Sequence, residues 1–138
     1  MFRTKKQIKE LLKLVKKYNF NVPTGFWELS IEQIQKAYNG IGADWQGKLP
    51  RAIQTQLLSY FEAVSLVHDC VATYFNGHTK EGFKQWNKFY FYDNCTKQRK
   101  ADFSFWSRER FNKWIEARAI YRVLSRFGFK AWKDAANV

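Results

Sequence analysis

Apolar residues recur along most of the chain at steps of three and four, which places them on one face of an α-helix. The segment 4–18 is the clearest case, with lysines on the opposite face. Its apolar positions are Ile8, Leu11, Leu12, Val15 and Tyr18. No segment alternates apolar and polar residues with the period of two that a half-buried strand shows. The pattern therefore predicts an all-α fold.

Helix-breaking and capping residues divide the first half of the chain. Pro23 and Gly25 follow the first helix and interrupt the pattern. Ser30 suits the N-cap of a short second helix, with Gln33 at the position that completes a capping box. We expect this helix to stop at "YNGIGADWQGK", residues 38–48, which reads as a Gly-rich loop.

The second half of the chain contains longer periodic segments. The predicted elements are helices over 50–75, 80–96 and 107–126, followed by a short helical turn over 130–135. Pro50 suits the first turn of its helix, Thr79 can act as an N-cap, and Gly128 can end the last long helix. The short turn at 76–79 should join two antiparallel helices into a hairpin.

Composition fits one domain of 138 residues, 1–138, with 46% hydrophobic and 19% aromatic residues. No apolar run approaches the roughly 20 residues that span a bilayer. The N-terminus has no continuous apolar region before a small-residue cleavage site. We therefore expect neither classical secretion nor a transmembrane segment. The virion and the cytoplasm of a host are both compatible with these features.

Positive charge is concentrated at the two ends of the chain. The net charge is +12, with seven basic and one acidic residue in 1–20 and eleven basic and four acidic in 97–138. Such ends suit an anionic phospholipid surface, a nucleic acid or an acidic protein. The predicted anion-binding residues are Lys5, Lys6, Lys9, Lys13, Arg110, Arg118 and Arg122. Trp106 and Trp114 lie among the C-terminal arginines, and interleaved basic and aromatic residues can bind nucleic acid.

Candidate chemistry lies in "LVHDCVATYF", residues 66–75, where His68 falls on the apolar face of its helix and Asp69 on a more polar edge. In a hairpin centred at 77–78, positions whose numbers sum to about 155 face each other. His68 is then expected to meet Asn87 on the next helix.

His68 and Asp69 point about 100° apart on a helix, so they do not form a dyad with each other. Asp69 suits a calcium ligand at the edge of the Gly-rich loop, with Asp44 and loop carbonyls supplying further oxygens. His68 could then act as general base on a water molecule.

The loop "YNGIG", the helix carrying "HDC" and the antiparallel helix after it resemble the phospholipase A2 superfamily, in its small prokaryotic, viral and phage branches. The resemblance covers roughly 38–95 and leaves the basic terminal helices as additions. It implies calcium-dependent ester hydrolysis of phospholipid, with His68 activating water and Asp69 binding calcium. Asn87 would stand where the family has the aspartate that orients the histidine. The calcium loop would be the backbone of Asn39, Gly40, Ile41 and Gly42.

Three departures keep a second interpretation open. Asn87 cannot stabilise an imidazolium by charge, and Ala72 stands where the family often has tyrosine. The family's cysteine bridges are also missing. The alternative is a non-catalytic structural or binding protein of a phage particle. Its basic surface would contact nucleic acid or another particle protein.

Overall fold

The computed structural model describes residues 3–46, 51, 54–55 and 59–135, and for 40–46 it describes the backbone alone. Over these ranges the chain is helical and contains no strand, which confirms the all-α prediction. Within the same ranges, no helix combines the length and the apolar character that crossing a bilayer requires.

Helical segments follow one another along the described residues. The α-helices are α1 (Lys5–Lys17), α2 (Ile31–Gln46), α3 (Glu62–Tyr74), α4 (Lys80–Asn87), α5 (Asp93–Asp102), α6 (Arg108–Phe127) and α7 (Phe129–Ala135). A 3₁₀ turn, Phe26–Glu28, precedes α2, and a π-helical turn, Lys88–Tyr92, links α4 to α5. The helix predicted over 80–96 therefore continues to Asp102, with a wider turn in its middle.

Side-chain caps begin several helices where the sequence predicts them. Ser30 Oγ accepts a hydrogen bond from Gln33 N at 3.1 Å, and Gln33 Oε1 accepts one from Ser30 N at 2.8 Å. This pair is the predicted capping box. Thr79 Oγ1 accepts from Gly82 N at 2.9 Å and so caps α4.

The predicted Gly-rich loop over 38–48 is wrong for residues 38–46, since α2 continues through Gln46. Residues 47 and 48 lie outside the described ranges. Each glycine in a helix costs only about 1 kcal/mol relative to alanine. The first turns of α2 bury Ile34, Ala37 and Tyr38 in the core. Once packing has formed these turns, each further residue adds one backbone hydrogen bond without a new nucleation cost.

The single helix predicted over 50–75 is also wrong. A turn at 59–61 precedes α3, which starts at Glu62. Pro50, expected in the first turn of that helix, lies outside the described residues.

Gly128 ends α6 as predicted, but for a different reason. Its φ of −82° is right-handed, so the left-handed stop that glycine usually provides is not used here. A Cβ at this position would lie 2.6 Å from the Leu124 carbonyl oxygen. Only glycine therefore allows the backbone at 128 to lie this close to that carbonyl group.

Helix α3 lies at the centre of the core. Its ten consecutive residues Ala63–Ala72 are all buried, and it contacts α1, α2, α4, α7 and the π-helical turn. Helix α1 buries Ile8, Leu11 and Val15, so its apolar face packs on this core. The core encloses the faces of α3 and α4 that meet at His68 and Asn87 and leaves the outer face of α6 in solvent.

Candidate functional site

His68 and Asn87 meet across the α3–α4 hairpin. His68 Nε2 lies 3.2 Å from Asn87 Oδ1, and the two residues are 1% and 2% exposed. The helical period and the short turn therefore predicted this contact correctly. Among the described residues, Asn87 Nδ2 has no hydrogen-bond partner, so the amide serves the imidazole alone.

Aromatic rings enclose His68. Its ring stacks on Trp86, with ring centres 3.9 Å apart and planes 3° apart, and Phe91 lies 5.3 Å away. Trp86 Nε1 also donates a hydrogen bond to the His68 carbonyl oxygen at 2.6 Å. Phe91 belongs to the π-helical turn, so that turn supplies part of the cover over the imidazole.

Burial keeps the His68 imidazole neutral. It lowers the pKa of His68 to about 3, and the hydrogen bond to Asn87 offsets only part of this effect. A general base works best with a pKa near the operating pH and must reach the proton that it removes. An enclosed imidazole with this pKa is better suited to cross-linking two helices than to activating water.

Asp69 interacts electrostatically with a side chain of α2. It is fully buried, and its charge acts on Tyr38 of α2. The pKa of Tyr38 is raised first by burial, then by the charges of Glu62 and Asp69. Tyr38 Oη donates to Glu62 Oε1 at 3.2 Å, and the Arg3 guanidinium pairs with the same carboxylate. Asp69 thus borders a polar cluster between the N-terminus, α2 and α3.

The expected calcium loop has another role in this structure. Asn39 holds the Arg3 backbone, since Oδ1 accepts from Arg3 N at 2.9 Å and Nδ2 donates to Arg3 O at 3.1 Å. Residues 39–42 are helical, and helical carbonyls point along the axis towards the residue four positions on. The expected backbone ligands Gly40, Ile41 and Gly42 are therefore engaged by the helix.

Calcium takes six to eight oxygen ligands in proteins. Over the described part of the chain, no three His, Cys, Asp or Glu residues cluster closely enough to hold a metal ion. The side chain of Asp44 lies outside the described residues, so its assignment stays a prediction.

Both cysteines, Cys70 and Cys95, are buried free thiols. Burial raises the pKa of the Cys70 and Cys95 thiols, so neither is a ready nucleophile at neutral pH.

The predicted basic residues of α1 form an exposed lysine face whose charge is partly neutralised. Lys5 Nζ lies 3.0 Å from Glu32 and Lys13 Nζ 3.1 Å from Glu10. Lys6 and Lys9 are also exposed. Because the apolar face of α1 is buried, this helix has no free apolar face to lay on a membrane.

Helix α6 carries a second basic surface, opposite its buried residues Ala117, Ile120 and Leu124. Six exposed residues follow each other at steps of three and four and form what we call the outer stripe. They are Arg108, Phe111, Ile115, Arg118, Arg122 and Arg126. Among the described residues, none of the four arginines forms an ion pair. Sequence reasoning named Arg118 and Arg122 but missed the exposure of Phe111 (58%) and Ile115 (46%).

Two further exposed rings adjoin the outer stripe. Phe105 and Trp106, which we call the aromatic corner, lie between α5 and α6 and are 68% and 90% exposed. Their ring centres are 4.8 Å apart in an edge-to-face arrangement. The predicted anion-binding residue Arg110 is only partly exposed, and its guanidinium lies 5.2 Å from the Phe105 ring centre.

No family model matches the chain, and no curated protein or solved structure is significantly similar to it. The residues and their geometry therefore carry the functional argument.

Proposed function

We propose that the protein is a non-catalytic binding protein that contacts nucleic acid through the outer stripe of α6. The observation that carries this proposal is a stripe about 27 Å long with four arginines and no acidic residue. Arginines free of ion pairs can neutralise successive phosphates and release their counterions, which drives nucleic-acid binding.

The composition and arrangement of the stripe favour nucleic acid over a lipid surface. Helices that lie on membranes separate a continuous apolar face from a charged one. Here Phe111 and Ile115 lie between Arg108 and Arg118 on the same face. The planar guanidinium also binds phosphate through two parallel hydrogen bonds, which the ammonium group of lysine does not match.

A phospholipase A2-like scaffold is a second candidate, favoured by the contact between His68 and Asn87 on antiparallel helices. This is the juxtaposition that the resemblance implies. The enclosed, neutral imidazole and the helical backbone at 39–42 favour a hairpin of this kind without hydrolase activity.

The binding proposal is tested by fluorescence anisotropy with a labelled 20-base-pair duplex over a range of salt concentrations. Arg118→Ala and Arg122→Ala should each weaken binding and reduce the slope of log affinity against log salt by about 1. Ser125→Ala, an exposed uncharged change on the same helix, is the matched control. No binding at low salt to the duplex or to a single strand of the same length, or slopes unchanged by both arginine variants, would overturn the proposal.

The absence of catalysis is tested by fatty acid release from anionic vesicles with millimolar calcium. Wild type and His68→Gln should give the same background rate, with circular dichroism used to verify that the variant is folded. Release by wild type that is both calcium-dependent and lost in His68→Gln would establish the hydrolase instead.

A further inference from the structure

The aromatic corner exposes two large rings whose burial would otherwise stabilise the fold. Burying an aromatic side chain contributes roughly 1.5–3 kcal/mol, so Trp106 at 90% exposure forgoes most of that gain. Single exposed apolar residues are ordinary on protein surfaces. Here, however, two adjacent exposed rings come directly before the outer stripe, which contains the exposed Phe111 and four arginines.

Hydrogen bonds anchor the end of α5 beside these rings. Asp102, the last residue of α5, accepts hydrogen bonds from Tyr18 Oη at 2.7 Å and from Tyr60 Oη at 2.6 Å. Burial and the bond to Asp102 raise the pKa of Tyr18 to about 12, so its phenol stays a donor at neutral pH. These bonds tie the end of α5 to two other segments of the chain.

The other side of the corner is fixed by the start of α6. Ser107 N donates to Ser104 O at 3.0 Å, which closes a turn around Phe105 and Trp106. Ser107 Oγ accepts from Glu109 N at 3.1 Å and caps α6. The rings are therefore presented from a closed turn between two anchored ends, and little backbone ordering is needed when a partner binds.

Cationic groups lie directly beside the rings. The Arg110 guanidinium lies over Phe105, and the outer stripe begins at Arg108, two residues after Trp106. A ligand that satisfies both features needs flat apolar faces alternating with negative charges at close spacing. Unpaired nucleotides have this chemistry, since each base carries a π-face and each is joined to a phosphate.

We infer that the aromatic corner stacks unpaired bases of a single-stranded nucleic acid on Trp106 and Phe105 while the outer stripe holds its phosphates. This inference rests on the proposed nucleic-acid binding and adds the class of substrate. In a duplex the bases already stack on each other, and inserting a ring between them costs a few kcal/mol. The corner therefore favours single strands over duplexes.

Charge argues against a second copy of the chain as the occupant. The chain carries a net charge of +12, and pairing two outer stripes would bring arginines against arginines. A lipid surface is distinguished from a single strand by comparing binding to anionic vesicles with binding to oligonucleotides, since vesicles offer anionic groups without bases.

The test compares two labelled single strands of equal phosphate number, a 20-nucleotide oligothymidine and a 20-unit abasic strand. Wild type should bind oligothymidine about 5- to 150-fold more tightly, the range that stacking of one base provides. Trp106→Ala should lose most of this preference while its affinity for the abasic strand stays unchanged. Because Trp106 is exposed, the variant should melt at the wild-type temperature, which verifies its fold.

Two control variants separate the corner from the stripe. Phe127→Ala removes a ring that is 70% exposed but lies about 30 Å along α6 from the corner, and it should keep the preference. Arg122→Ala should weaken binding to both strands by the same factor.

Each outcome has a distinct meaning. Equal wild-type affinity for the two strands, or a preference that Trp106→Ala leaves intact, overturns base stacking but leaves phosphate binding in place. No binding to either strand or to duplex overturns the proposed function together with the inference. Binding confined to vesicles of phosphatidylglycerol, and dependent on Trp106, overturns both in favour of a lipid surface.

Discussion

The buried hairpin around His68 and the exposed face of α6 are built from similar residues in opposite environments. Both place aromatic rings beside nitrogen-containing side chains. Around His68 the rings exclude water, and the imidazole is held neutral by burial and bound to an amide. On α6 the guanidinium groups remain in water and keep their charge. The first arrangement stabilises the fold, and the second leaves charge and ring surface for a partner.

Substitution of two tryptophans should give the largest difference in stability between these two regions. Trp86 is fully buried and Trp106 is 90% exposed. Trp86→Ala should lower the free energy of unfolding by about 3–5 kcal/mol, because it removes a core ring and leaves a cavity. Trp106→Ala should change it by less than about 0.5 kcal/mol. Urea unfolding of the two variants measures the difference, and similar losses would contradict the assignment of one region to stability and the other to binding.

The acid side of the stability profile tests the neutral state of His68. Between the folded pKa of about 3 and the ordinary value of 6.5, the unfolded chain binds a proton that the folded protein does not. The stability that the protein gains by burying His68 as a neutral imidazole is therefore fully present above pH 6.5. As the pH falls below 6.5, the free energy of unfolding decreases by about 1.4 kcal/mol per pH unit.

The measurement is urea unfolding of wild type and His68→Phe at pH 7 and pH 5. Wild type should lose about 2 kcal/mol more than the variant over this interval, since phenylalanine does not titrate. Titrations of other groups occur in both proteins and cancel in the comparison. Equal losses would show that His68 is accessible to protons in the folded state.

Asn87→Leu tests the hydrogen bond inside the hairpin. The change leaves the buried imidazole without its amide partner and should lower the free energy of unfolding by about 1–3 kcal/mol. Asn94→Leu is the matched comparison, because Asn94 is also a buried amide and holds the backbone of Asn21. Urea unfolding compares them, and an unchanged stability of Asn87→Leu alone would mean that the contact with His68 contributes nothing.

The smallest expected effect separates the two basic surfaces. Lys9 lies on the lysine face of α1, where neighbouring lysines are paired with glutamates, while Arg122 belongs to the outer stripe. Each change to alanine removes one charge. Lys9→Ala should weaken duplex affinity by less than about 0.5 kcal/mol, because exposed charges away from the contact act only through a screened field. A loss as large as that of Arg122→Ala in the same anisotropy assay would move the binding face to α1.

The contact inside the hairpin could be predicted from the sequence. The period of apolar residues and the length of the turn at 76–79 were enough to place His68 opposite Asn87. The capping residues Ser30 and Thr79 also marked helix starts correctly, because these motifs are local and depend on residues three apart.

The predictions of helix bounds and of exposure were wrong where contacts between residues distant in sequence determine the structure. "NGIGAD" contains two glycines and reads as a loop, yet packing of the preceding turns of α2 extends the helix through it. The break at 59–61 and the π-helical turn carry no local signal of comparable strength. Phe111 and Ile115 fit the apolar pattern of a core, and only the position of α6 shows that they face solvent.

Short-range spacing and composition were enough to predict the helical class, the main capping sites, the basic ends and the pairing of His68 with Asn87. The enclosure and neutral state of the imidazole, and the exposure of the arginines and rings of α6, depend instead on how the helices pack. Burial is a property of how elements pack together, and burial sets both the charge state of a side chain and its access to a partner.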